Sequence, residues 1–299
     1  MVFALGAALS RVSLCAVAGV QQAIAARSYT GLKRLLLAAS AAAATLLLCA
    51  ALAPHRVRLP ADVALHWGVI AGALMLGVGA LINGGCYLGS VLYLGSGNLN
   101  FVFTLGGIGL GARGAELLAP IQAGAGVGLR MAPAHVGLAG VMVLALTAGL
   151  LLRGRGFKER WPSLAAGVLA GLLYAQQPGW SYGSVIETLA HGRLGLMNWQ
   201  SNASALLLFA GALAGSTLAG RFQLQRPQPW RSLRCVVSGA IMGCGAAWVP
   251  GGSDSLLLWA IPGLAVYGAL AYALMLGTIG LGLTLSARWG QQRSDPISV

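Results

Sequence analysis

Apolar stretches of membrane-crossing length follow one another along nearly the whole chain, and few folds tolerate that. With 57% hydrophobic and 8% charged residues among 299, there is too little polar side chain to cover a water-facing globule. A bilayer core about 30 Å thick is crossed by a helix of roughly 20 residues, whereas the period-two alternation of a membrane barrel is weak throughout. The sequence predicts an all-α polytopic membrane protein of about nine crossings, at 3 to 20, 35 to 52, 66 to 83, 99 to 118, 135 to 152, 161 to 176, 203 to 220, 233 to 250 and 264 to 285. The first has the length of a signal peptide. Arg11 interrupts its apolar run and no basic region precedes it, so it is read as a membrane helix.

Basic residues set the expected orientation, because lysine and arginine are retained on the cytoplasmic side. The clusters are Arg153, Arg155, Lys158 and Arg160; Arg221, Arg226, Arg231 and Arg234; Arg288 and Arg293; and Arg27, Lys33 and Arg34. Nine crossings put all four on one face, with the amino terminus outside and the carboxyl terminus inside. Arg56 and Arg58 are the main exception. The net charge of +13 is thereby explained by topology, and no domain is available to bind a nucleic acid.

Two glycine-rich boxes stand about 166 positions apart, GVGALINGGCYLG at 77 to 89 and GCGAAWVPGGSDS at 243 to 255. At that offset Gly77 falls on Gly243, Gly79 on Gly245, Ala80 on Ala246 and Gly85 on Gly251, while Cys86 falls on Gly252. The match runs on through Leu92 and Leu258, Gly97 and Gly263, Gly111 and Gly277, and Gly114 and Gly280; upstream it fades, with Gly6 on Gly171 at 165. Four helices, a linking helix and four more helices would place the two copies in opposite directions, an inverted repeat of the kind that carries a substrate site at its interface. A single membrane domain is expected, with repeat one at about 1 to 130, the linking helix at about 135 to 152, repeat two at about 161 to 287 and a short cytoplasmic tail at 288 to 299. The alternative reading of the glycines is helix packing through small residues.

Each box also breaks its helix. Asn83, Gly84 and Gly85 in one, and Pro250, Gly251 and Gly252 in the other, interrupt apolar segments, and the pieces that follow, 87 to 94 and 255 to 260, are too short to span. Broken backbone at membrane depth must face protein or a water-filled cavity. Ser253 and Asp254 suit the start of a re-entrant half-helix, whose free N–H groups and positive dipole end suit an anion.

Five cysteines, Cys15, Cys49, Cys86, Cys235 and Cys244, form neither a CxxC pair nor a zinc spacing. Cys49 and Cys235 read as packing. Cys86 closes a helix break, where a thiol either packs or meets a solute; Cys244 and Cys15 are intermediate, the latter four positions after Arg11. Arg11 itself either snorkels to water or faces a path, and Asp254 either caps its helix or lines one. Arg113 and Glu116 are expected to satisfy one another, and Glu187, His191 and Arg193 to lie in an external loop between helices six and seven. No Walker sequence or HExxH is present, and the GxGxxG at Gly109, Gly111 and Gly114 lies within a membrane helix. No cofactor, metal or enzymatic constellation is expected, and no proton relay is evident.

The stretch from Gly77 to Asn98, GVGALINGGCYLGSVLYLGSGN, resembles the first box of the YeeE/YedE sulfur-transport family of bacterial inner-membrane proteins. SGAIMGCGAAWVPGGSDSLLLWAIPG at 238 to 263 is similar to that family's second box, and GAALSRVSLCAVAG at 6 to 19 to its first-helix signature. The resemblance implies import of thiosulfate, or of a related sulfur or selenium species, past cysteine thiols. A thiosulfate-uptake branch is the nearest type, and a small cytoplasmic sulfur-carrier protein is an implied partner. Many members of that branch carry a cysteine where this chain has Gly252. The implied conduction residues are Cys86, Cys15 and Cys244, with Gly84, Gly85, Gly251, Gly252, Ser253 and Arg11. The competing reading is a membrane sulfurtransferase subunit in which Cys86 accepts a persulfide.

Overall fold

The computed structural model describes residues 1–12, 14–61, 63–118, 138–143, 145–147, 157–192 and 199–294. Among them no strand occurs, and the polypeptide is a bundle of helices: α1 (Val2–Val12), α2 (Ala16–Ala25), α3 (Thr30–Leu52), α4 (Trp67–Asn83), α5 (Tyr87–Gly95), α6 (Asn100–Leu118), α7 (Phe157–Gln176), α8 (Tyr182–Ala190), α9 (Trp199–Leu218), α10 (Pro229–Trp248), α11 (Ser253–Ala260) and α12 (Val266–Ser294). Five stretches are long and apolar enough to cross a membrane: Val2–Ala25, Thr30–Leu52, Trp67–Gly95, Trp199–Leu218 and Val266–Ala287. The bent pair α10 and α11 makes a sixth. Half of the expected linking helix at about 135 to 152 is described, and its residues 138–143 and 145–147 are helical; the rest lies outside the described residues, as do Arg153, Arg155 and Arg193.

Two sequence expectations are corrected here. The first crossing is not continuous, since α1 ends at Val12 and α2 starts anew after Cys15. Residues 182 to 190 are also not a loop. They form α8, whose start is buried, with Ser181 5% exposed and Tyr182 1%. No proline or double glycine marks the first break, whereas Pro178 and Gly179 stand just before α8.

The helices pack through small side chains, as membrane helices must when lipid offers no hydrophobic drive for association. Ala38 and Ala42 of α3 meet α7 at Ala166 and Ala170, all fully buried, and a Cβ on Gly171 would stand 2.8 Å from the Ala42 carbonyl oxygen. Between α4 and α10 the approach is equally close: a Cβ on Gly72 would lie 2.8 Å from the Gly245 oxygen, and one on Gly245 2.6 Å from the Gly72 oxygen. Helix α1 packs on α9 and α3 on α7; α6 packs on α10 and α4 on α12; α2 meets α12 and α6 meets α8; α5 touches α9 and α11 touches α3. The remaining contacts that matter for the site join α1 to α7, α4 to α10 and α5 to α11.

Candidate functional site: paired thiols at helix starts

The break between α4 and α5 is built from the buried side chain of Asn83. Its Nδ2 donates to the Gly85 carbonyl and to Ser90 Oγ, both at 3.0 Å, while its Oδ1 accepts from Thr104 Oγ1 of α6 at 2.9 Å and from Ser238 Oγ of α10 at 3.2 Å. One side chain thus satisfies groups on three helices around a turn that would otherwise expose backbone to hydrocarbon. Gly84 ends α4 in the left-handed region, φ 75°, which an L side chain enters only at a cost. Gly85 lies against the ring of Tyr93, where a Cβ would be 2.9 Å from Cε2. The chain then turns at Cys86 and α5 begins.

Cys86 caps α5 with its sulfur. Sγ accepts from the amide of Gly89 in the first turn of α5 at 3.3 Å, and from the amide of Ala16, the first residue of α2, at 3.4 Å. Cys15 is the residue that precedes α2, in extended conformation at φ −120°. Its thiol interacts directly with that of Cys86 and with Tyr93. Both sulfurs rest on Gly89, where a Cβ would lie 2.6 Å from Cys15 Sγ and 3.5 Å from Cys86 Sγ. The two thiols are unoxidised and buried, 4% and 2% exposed. Two helix starts 71 residues apart in sequence are therefore closed by one pair of sulfur atoms, with an amide from the first turn of each helix donating to Cys86 Sγ.

The corresponding region around α8 and α11 carries no sulfur. Ser181 caps α8, its Oγ accepting from the Gly183 amide at 3.2 Å and donating to Asp254 Oδ2 at 2.9 Å. Gly251 takes φ 112° and Gly252 precedes α11. A Cβ on Gly252 would sit 2.6 Å from Tyr87 Cδ1 and 2.7 Å from Asp254 Oδ1, so the ring and the carboxylate occupy the space that a side chain at 252 would take. Tyr182 donates to the Tyr87 carbonyl at 2.6 Å, and the two rings lie against each other at a 40° tilt with centroids 5.0 Å apart. The starts of α5, α8 and α11 are tied together through Tyr87.

Of the residues singled out in the sequence, Cys15 and Cys86 come together, with Gly84 and Gly85 forming their turn. Gly251, Gly252 and Ser253 stand at the neighbouring start of α11, where Ser253 is 3% exposed and its Oγ has no hydrogen-bond partner. Cys244 is buried on α10, which packs against α4 and α6. Arg11 lies exposed in the last turn of α1, where its carbonyl accepts from Arg221 Nη1 at 3.1 Å; a cation at a helix carboxyl end is favourable there. Arg113 and Glu116 do not pair with each other: Arg113 Nη1 donates to the Ala190 carbonyl at 3.0 Å, and Glu116 Oε2 meets His191 Nε2 at 3.0 Å. Glu116, Glu187 and His191 bring three ligand atoms within 4.8 Å of one another, on the α6–α8 contact and not beside the thiols.

A family model for sulphur transport matches residues 11–281, a range that holds both thiols and the starts of α2, α5, α8 and α11. The chain belongs to the sulphur-transport family of YeeE/YedE type. No curated protein matches it. Asn83, Tyr87, Ser181 and Tyr182 complete the constellation and were not singled out from sequence as site residues; Asn83 and Tyr87 lie within the first box, but the part each plays depends on a contact with a residue far along the chain.

Proposed function

We propose that this family member imports thiosulfate, or a closely related sulfur anion, across a bacterial inner membrane, with its amino terminus outside and its carboxyl terminus inside. The observation that carries the reading is the Cys15–Cys86 pair, buried where the amides of Ala16 and Gly89 converge on sulfur. Thiosulfate is a dianion with a soft terminal sulfur and three hard oxygens. A bare ion entering hydrocarbon costs tens of kcal/mol by Born estimates, so its charge needs many weak partners. First-turn N–H groups and the positive ends of short helices serve the oxygens, and neutral thiols, polarizable and weak donors, serve the sulfur. Each contact is individually weak, which leaves the solute free to depart.

The reading includes an inverted repeat. The caps Cys15 and Ser181 are 166 positions apart, as are Cys86 and Gly252, and exchanging α1–α6 with α7–α12 carries each helix contact described above onto another such contact or onto itself. Two oppositely inserted halves would bring their re-entrant starts to a common point at mid-depth. The test is uptake of labelled thiosulfate, sulfite, sulfate and selenite by liposomes containing only this protein. Thiosulfate accumulation that falls tenfold or more in Cys86→Ala is expected. Absence of uptake for every anion, or label retained covalently on Cys86 in its place, would replace import by sulfur transfer to a carrier protein.

A further inference from the structure

We infer that Asp254 is a proton-binding site that couples anion entry to proton entry, an inference that rests on the transport reading above. Among the described residues Asp254 is the one buried carboxyl group, 4% exposed at the first turn of α11. Ser181 Oγ donates to Oδ2 at 2.9 Å, and no donor reaches Oδ1 with hydrogen-bond geometry. The groups acting on it are the Ser181 hydroxyl and the amides of its own turn, with no lysine, arginine or histidine; the titratable side chains facing it are the phenols of Tyr87 on α5, Tyr174 on α7 and Tyr182 on α8.

A carboxylate enclosed in this way, beside a path for a dianion, is electrostatically opposed to the solute it faces. Binding one proton at Oδ1 removes that charge and the cost of burying it. The free oxygen suits a proton rather than a sodium ion, which would need several oxygens converging on one point. Position makes the group relevant to the anion: Oδ1 lies against Gly252, the counterpart of Cys86 across the 166-residue offset. Connection does too. Ser181 links the carboxyl to the cap of α8, the next residue Tyr182 donates to the Tyr87 carbonyl, and Tyr87 adjoins Cys86. A change of charge at Asp254 therefore acts on the hydrogen bond that sets the start of α8, and through Tyr182 on the start of α5 where the thiols sit.

The experiment uses the full chain in liposomes loaded with the pH dye pyranine, with the membrane potential clamped by potassium and valinomycin. Adding thiosulfate outside should acidify the interior, and an inward gradient of one pH unit should raise accumulation about tenfold for one proton per anion. Asp254→Asn, which keeps an oxygen for Ser181 to donate to, should abolish both the acidification and the response to the gradient, and Asp254→Glu should restore them. Thiosulfate uptake by the unaltered protein without proton movement overturns the inference while leaving import standing, as does acceleration by a sodium gradient alone or unchanged coupling in Asp254→Asn. No thiosulfate uptake by the unaltered protein under any gradient overturns the transport reading and the inference with it.

Discussion

The sulfur of Cys86, at the start of a short helix, differs from that of an ordinary buried cysteine, which acts as a small hydrophobe, because backbone N–H groups point at it. Cys86 Sγ receives two such donors from two helices, so replacing it alters both packing and polarity. Cys86→Ser keeps an acceptor of smaller radius and is expected to retain part of the uptake that Cys86→Ala loses, measured at matched protein amounts in the same liposomes. At Gly252 the expectation runs the other way. A cysteine there would have its Cβ within 2.7 Å of both Tyr87 Cδ1 and Asp254 Oδ1, so Gly252→Cys should lower stability by about 1–3 kcal/mol through overpacking, read as a fall in melting temperature in detergent, and should not increase thiosulfate uptake. The chain has filled the place of a third thiol with a ring and a carboxylate.

Helix breaks are where sequence and structure part company. The breaks at Asn83-Gly84-Gly85 and Pro250-Gly251-Gly252 are legible because double glycine and proline interrupt a helix on local grounds. The start of α2 is not, since Leu14 is an ordinary apolar residue and the cap Cys15 meets a partner, Cys86, 71 positions away; at α8 the pair Pro178-Gly179 marks a turn, but the cap Ser181 is settled by Asp254, 73 positions away. Broken elements of this kind persist only if something satisfies the freed backbone, and at the α4–α5 turn Asn83 does so. Asn83→Leu removes the donor for the Gly85 carbonyl and the acceptor for Thr104 and Ser238. Leaving buried polar groups unpaired costs about 1–3 kcal/mol each, partly offset where Ser238 and Ser90 hold other carbonyls. A drop in melting temperature, together with labelling of Cys86 by a small thiol reagent that leaves the parent unlabelled, is the expected result; unchanged labelling would show that the turn holds without Asn83.

At the scale of the whole molecule, stability depends on glycine where the helices touch and on nothing special where they face lipid. Gly245 has the Gly72 carbonyl oxygen 2.6 Å from where its Cβ would be, whereas Gly106 on α6 has no atom within 4 Å. Gly245→Ala should therefore destabilise the protein, while Gly106→Ala should be neutral or stabilise by up to about 1 kcal/mol through helix propensity; thermal unfolding of the two variants side by side separates packing from propensity. The same contact, joining α4 to α10, bears on how the halves are inserted. The loop between α3 and α4 and the loop between α9 and α10 occupy equivalent places in the two units, with Arg56 and Phe222 166 positions apart and both exposed. Oppositely inserted units put these equivalent loops on opposite sides of the membrane, and parallel units put them on the same side. On the retention of basic residues at the cytoplasmic side, the excess of arginine from Arg221 to Arg234 would put the second loop on the inner face. In intact cells an impermeant maleimide should label Arg56→Cys and spare Phe222→Cys until the membrane is opened, and labelling of both from outside would rule out opposed halves and with them a site at their shared mid-depth.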